Sequence, residues 1–187
     1  MAVLVAGLIL FFLPHCLREI GLRDSLAARF PSEGAWKGAY SLTSLLGLGL
    51  IVWGKSIAPF VMVWAPPFEL RQVSHYIMLP VFWLILAGSG PVSWTRHKLR
   101  NPMLFAVILW GAAHLWTNGD LASMLLFGGF TLWGIFKYCS LWSRVPAPRS
   151  NRIMLTTDLV YALLGSVIYA VLFVFHGHLF GVGLGVA

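Results

Sequence analysis

Apolar residues run along this chain in six stretches, roughly 2–17, 39–62, 73–92, 102–117, 121–142 and 155–178, and the short segments between them hold most of the charge. A bilayer core about 30 Å thick needs about 20 apolar residues in helical form. The second, third, fifth and sixth stretches meet that length, whereas the first and fourth are short. Runs this long and this continuous do not alternate in the way a membrane β-barrel requires. The pattern predicts an all-α polytopic transmembrane bundle of about six helices, forming a single membrane domain over residues 1–187.

Composition strengthens that reading. The chain is 59% hydrophobic and only 10% charged, a balance foreign to soluble domains of this size. No Lys or Arg precedes "AVLVAGLILFFLP", and no small-x-small site follows it before the basic "LREIGLR", so this segment is expected to remain as the first helix. Cys16 and Cys139 sit in or beside apolar stretches and read as packing residues.

Charge placement predicts the orientation. The first loop carries Arg18, Arg23, Arg29 and Lys37, the third Arg96, Lys98 and Arg100, and the fifth Lys137, Arg144, Arg149 and Arg152. These are eleven of the thirteen basic residues. Lys and Arg are retained on the cytoplasmic side, so the odd loops should face the cytoplasm and the N-terminus should lie outside. The net charge of +7 is then an orientation signal with an attraction to anionic membrane lipid, and it does not point to nucleic acid. "SRVPAPRSNR", residues 143–152, reads as a Pro-broken linker.

Within "AAHLWTNGDLAS", residues 112–123, Asn118-Gly119 predicts a helix stop with the glycine left-handed, and Asp120 predicts the cap of the following helix. His114, one turn earlier, has no such explanation. An ionisable group at membrane depth normally faces the bundle interior and finds a partner. Neutral imidazole is the usual axial ligand of haem, and bundle cores often hold cofactors. His114 and His15 are the histidines most embedded in apolar sequence, and His75 begins the third long helix. His97 reads as a loop residue, and His176 and His178 as interfacial ones. No zinc pattern, P-loop or serine nucleophile motif is present.

The stretch "RNPMLFAVILWGAAHLWTNGDLASMLLFGGFTLWGI", residues 100–135, closely resembles the signature region of the NnrU family, bacterial membrane proteins linked with nitric oxide metabolism and denitrification. The likeness extends to "FFLPHCLREIGLR", "GAYSLTSLLGLGLIVWG" and "VWAPPFELRQVSHYIML". The family is related to zeta-carotene isomerase, a haem b membrane enzyme. The resemblance implies a multi-pass protein of the bacterial inner membrane, with haem b as cofactor and His114 and His15 as ligands. It departs from the family at Asn101-Pro102, where His-Pro is usual. It departs from the isomerase at Gly111, where that enzyme has a cysteine three residues before the histidine.

Depth counting qualifies the His15–His114 pair. At about 1.5 Å per residue the two sit about 10 Å apart across the core, and His75 is nearer to His114. Arg18, one turn after His15, either anchors the basic face or pairs with a haem propionate. Two functions follow from the resemblance: a haem b protein of nitric oxide or denitrification metabolism, or a cis–trans isomerase acting on a hydrophobic polyene. The candidate partners are accordingly nitric oxide or a polyene.

Overall fold

The computed structural model describes residues 1–67, 71–149, 155–182 and 184. These form eight helices: α1 (Ala2–Cys16), α2 (Arg23–Ala27), α3 (Glu33–Ser56), α4 (Gln72–Ser89), α5 (Trp94–Leu99), α6 (Pro102–Thr117), α7 (Leu121–Arg144) and α8 (Leu155–Phe180). Among the described residues there is no strand, only one isolated bridge between Met62 and Asp120. Six helices are long, as the apolar pattern predicts. Four of them, α3, α4, α7 and α8, are long and apolar enough to cross a membrane, whereas α1 and α6 are shorter. The chain is thus a multi-pass membrane protein, with α2 and α5 added as short helices at the basic face.

Helix starts follow local chemistry. The Ser32 side chain accepts from Ala35 N–H at 3.1 Å, so α3 opens six residues before its apolar stretch does. Ser93, Asn101 and Asp120 cap α5, α6 and α7 in the same way. Each such cap satisfies one of the amides that a helix start leaves without a partner. Asn101 therefore does useful capping work at the position where the resemblance leads one to expect a histidine. The apolar run through residue 62 is no longer helical after Ser56, and residues 61–64 instead bond to the turn between α6 and α7.

The long helices pack as a row, α3 on α1, α1 on α7, α7 on α6, α6 on α4 and α4 on α8. Glycines set the close approaches. A Cβ at Gly47 would meet the Phe11 backbone and one at Gly54 the Leu4 backbone, which brings α1 against α3. Gly88 lies against Met103 and Gly165 against Trp83, joining α4 to α6 and to α8. In lipid, where apolar side chains gain little by leaving the solvent, such backbone proximity is a main source of helix association. Trp83 Nε1–H donates to Ser166 Oγ at 3.0 Å and Tyr169 O–H to the His75 carbonyl at 3.1 Å, adding polar ties between α4 and α8. The outward faces stay apolar and exposed, as at Leu45, Leu132 and Leu163, as expected of lipid-facing positions.

The turn at residues 118–120 corrects one expectation. Gly119 does not adopt positive φ; among the described glycines only Gly21 and Gly181 do. A glycine is needed there because the Trp64 carbonyl occupies the space that a Cβ would fill. The Val63 and Trp64 amides both donate to the Gly119 carbonyl, at 2.8 and 3.2 Å, and Leu121 N–H donates to the Val61 carbonyl at 2.8 Å. The 57–67 segment thus straps the α6–α7 turn. Arg152 and the end of the 143–152 linker lie outside the described residues.

Candidate functional site

His114 is part-buried near the end of α6. Its Nδ1 meets the Trp110 carbonyl at 2.8 Å, one turn back, and its ring stacks on Phe127 of α7 with centroids 4.4 Å apart. A carbonyl only accepts, so Nδ1 carries a proton, and in the neutral imidazole Nε2 then keeps its lone pair, as ligation through Nε2 requires. His15 repeats the arrangement at the other end of the bundle. Its Nδ1 meets the Phe11 carbonyl at 2.6 Å, its ring stacks on Phe11, and Trp133 and Tyr40 close around it.

The two imidazoles are not brought together. His114 sits beside Phe127 and His15 beside Trp133, six residues apart on α7, which is about 9 Å of helix. The interval is filled with rings: Phe127 on Trp110 at 5.0 Å, Trp110 on Phe130 at 5.6 Å, and Phe130 on Phe11 at 5.4 Å. The donor chemistry of each histidine fits a haem, but these rings stand where a single haem ligated by both would lie. His75 is closer to His114 in height. From the Gly88–Met103 contact, counting back along α4 to His75 and forward along α6 to His114 leaves about 3 Å between them. The His75 ring faces α8, at 5.1 Å from Phe173 and one turn from His176.

The basic face is built around Glu19, whose side chain is only 3% exposed. Lys137 of α7 donates to Glu19 Oε1 at 2.8 Å and to the His15 carbonyl at 2.8 Å, and Arg144 donates to the same Oε1 at 2.9 Å. Burial pushes the Glu19 carboxyl up, but the hydrogen bond and charge of Lys137, with the charge of Arg144, prevail and hold it below the usual carboxylate range. Glu19 Oε2 and Trp133 Nε1 are buried without a hydrogen-bond partner among the described residues. Beside this group a cavity of about 260 Å³ is lined by His15, Arg18, Arg23, Lys37, Tyr40 and Lys137, among others.

The opposite face carries a second ion pair. Lys55 donates to Asp120 Oδ1 at 3.0 Å and to Ser123 Oγ at 2.8 Å, while the same Asp120 oxygen accepts from Ser123 N–H at 3.0 Å. Burial raises the Asp120 carboxyl, and the Ser123 and Lys55 contacts more than offset it, leaving it below its ordinary value.

A family model described as NnrU protein matches residues 3–184. The chain belongs to the NnrU family. No curated protein and no solved structure matches it.

In this NnrU protein the expected site residues divide between the two faces. His15 and Arg18 line one cavity at the basic face, with Arg18 exposed. His114 and His75 lie toward the opposite face, in contact with different helices. His97 is more than a loop residue, since its Nδ1 meets the Pro148 carbonyl at 2.9 Å and ties α5 to the chain after α7. The Glu19–Lys137–Arg144 group and the Lys55–Asp120 pair are not apparent from sequence spacing, their members being 118, 125 and 65 residues apart. One signal was available: Lys137 interrupts the apolar "LWGIFKYCS", and a lysine at that position calls for a partner.

Proposed function

We propose that this NnrU protein would bind haem b in the bacterial inner membrane, with His114 as a residue that holds its iron, and serves nitric oxide or denitrification metabolism. The observation that carries the proposal is the His114 geometry. Its Nδ1 is committed to the Trp110 carbonyl at 2.8 Å, which leaves Nε2 as the available base inside an apolar bundle. Phe127 and Trp110 hold the ring in place from two helices, and a ligand oriented in this way loses little freedom on binding iron. When bound, haem supplies an iron able to take a small diatomic ligand such as nitric oxide. The height of His75 favours it over His15 as a second ligand to the same iron. The denitrification role and the alternative isomerase reading both rest on the resemblance.

Haem content tests the cofactor. Protein expressed with ample haem precursor and purified in detergent should carry close to one haem b per chain, measured after extraction; haem-free protein would overturn the proposal. Deletion of the gene should impair growth on nitrate without oxygen, and unimpaired growth would remove the denitrification role.

A further inference from the structure

The cavity at the basic face has a composition that His114 and its surroundings do not account for. Arg18, Arg23, Lys37 and Lys137 all line it. The cations are only partly used within the protein. Among the described residues, Arg18 has no hydrogen bond or ion pair and the Tyr40 hydroxyl has no hydrogen bond. Among the described residues, Arg23 and Lys37 pair with Asp24 and Glu33, neighbours on their own helices, in exposed contacts that contribute little. Lys137 uses two donors, on Glu19 and the His15 carbonyl, and an ammonium has three. The cavity therefore presents a guanidinium, a hydroxyl and an ammonium N–H around one space, the donor set suited to a phosphate group.

Its position indicates where that phosphate comes from. Pro14 and Leu17, at the end of α1 where the helix leaves the apolar layer, complete the lining together with Trp36 of α3. Leu13 and Ile9, on α1 one and two turns into that layer, are 55% and 61% exposed. A ligand with a charged head and long apolar tails would place its head among the cations and its tails along α1. Basic pockets between helix ends at the cytoplasmic side have this character. We infer that the cavity bounded by Arg18, Lys37, Tyr40 and Lys137 is a binding site for the phosphate of an anionic phospholipid, with the acyl chains lying on Ile9 and Leu13.

Native mass spectrometry of the detergent-purified protein tests this, with phosphatidylglycerol and phosphatidylcholine of matched chains as probes and inorganic phosphate as competitor. Phosphatidylglycerol should be retained in preference to phosphatidylcholine. The double variant Arg18→Gln/Lys37→Gln should weaken that retention about tenfold or more, while Arg149→Gln, at another part of the basic face, should leave it unchanged. Both Arg18 and Lys37 are exposed, and an unchanged circular dichroism spectrum would confirm that the variant is folded. Millimolar inorganic phosphate should not displace the lipid. Equal retention of the two lipids, an unaffected double variant, or binding of inorganic phosphate in place of lipid would each overturn the assignment.

Discussion

Lys137, deep in the last third of α7, donates to the Glu19 carboxylate at 2.8 Å, and Glu19 accepts Arg144 with the same oxygen. One acid thus joins the turn after α1 to α7 across 118 residues of sequence. Removing one partner from a buried ion pair costs more than the pair contributes, because a charge is left buried alone. Glu19→Gln should therefore lower stability by about 3 kcal/mol or more. Arg144→Gln, at a site 40% exposed, should cost about 1 kcal/mol or less. Thermal unfolding in detergent measures both, and equal losses would show that the burial of Glu19 has no energetic consequence.

The same group gives a pH dependence. The folded Glu19 carboxyl is held below its unfolded range, so its stabilisation is complete at neutral pH, above the unfolded value. It is lost as pH falls through the folded value. Melting temperature should drop on acidification more steeply in the native protein than in Glu19→Gln. Parallel curves would assign the acid sensitivity elsewhere, Asp120 and the exposed Glu33 being further carboxylates held low.

At the opposite face, Asp120 serves both as the α7 cap and as the partner of Lys55. Asp120→Ala loses both contacts, whereas Lys55→Ala leaves the cap intact. The first should cost about 2 kcal/mol and exceed the second, as read from unfolding in the same detergent.

Gly119→Ala places a methyl group where the Trp64 carbonyl lies, and backbone on both sides leaves it no room to shift. A loss of about 1–3 kcal/mol follows. Gly128→Ala is the control, since its Cβ would meet only Leu115 Cδ2 at 4.0 Å. If the two variants melt together, the strap over the α6–α7 turn is not held as described.

Much of this architecture is legible in the apolar pattern, because lipid demands long uninterrupted helices and the sequence must supply them. The ends of α6 could be read to the residue, from the apolar stretch 102–117 and the stop at Asn118-Gly119; the cap by Asn101 comes from the structure. The start of α3 could not, because Ser32 and Glu33 are polar and fall outside any apolar run. The role of Gly119 is not legible in the sequence, because local pattern cannot reveal that a distant carbonyl, from Trp64, occupies its side-chain space. His114 was legible as a polar residue without a local excuse. Its separation from His15 by Trp110, Phe130 and Phe11 depends on how α1 and α6 pack on α7, which no single segment encodes.

The absorption spectrum of the purified protein tests the central claim, that His114 is a haem ligand, most directly. The native protein should show a Soret band, and His114→Ala, with its helical circular dichroism retained, should lose or shift it, while His15→Ala should leave it in place. A Soret band that is identical in His114→Ala, or absent from the native protein expressed with ample haem, would contradict the claim.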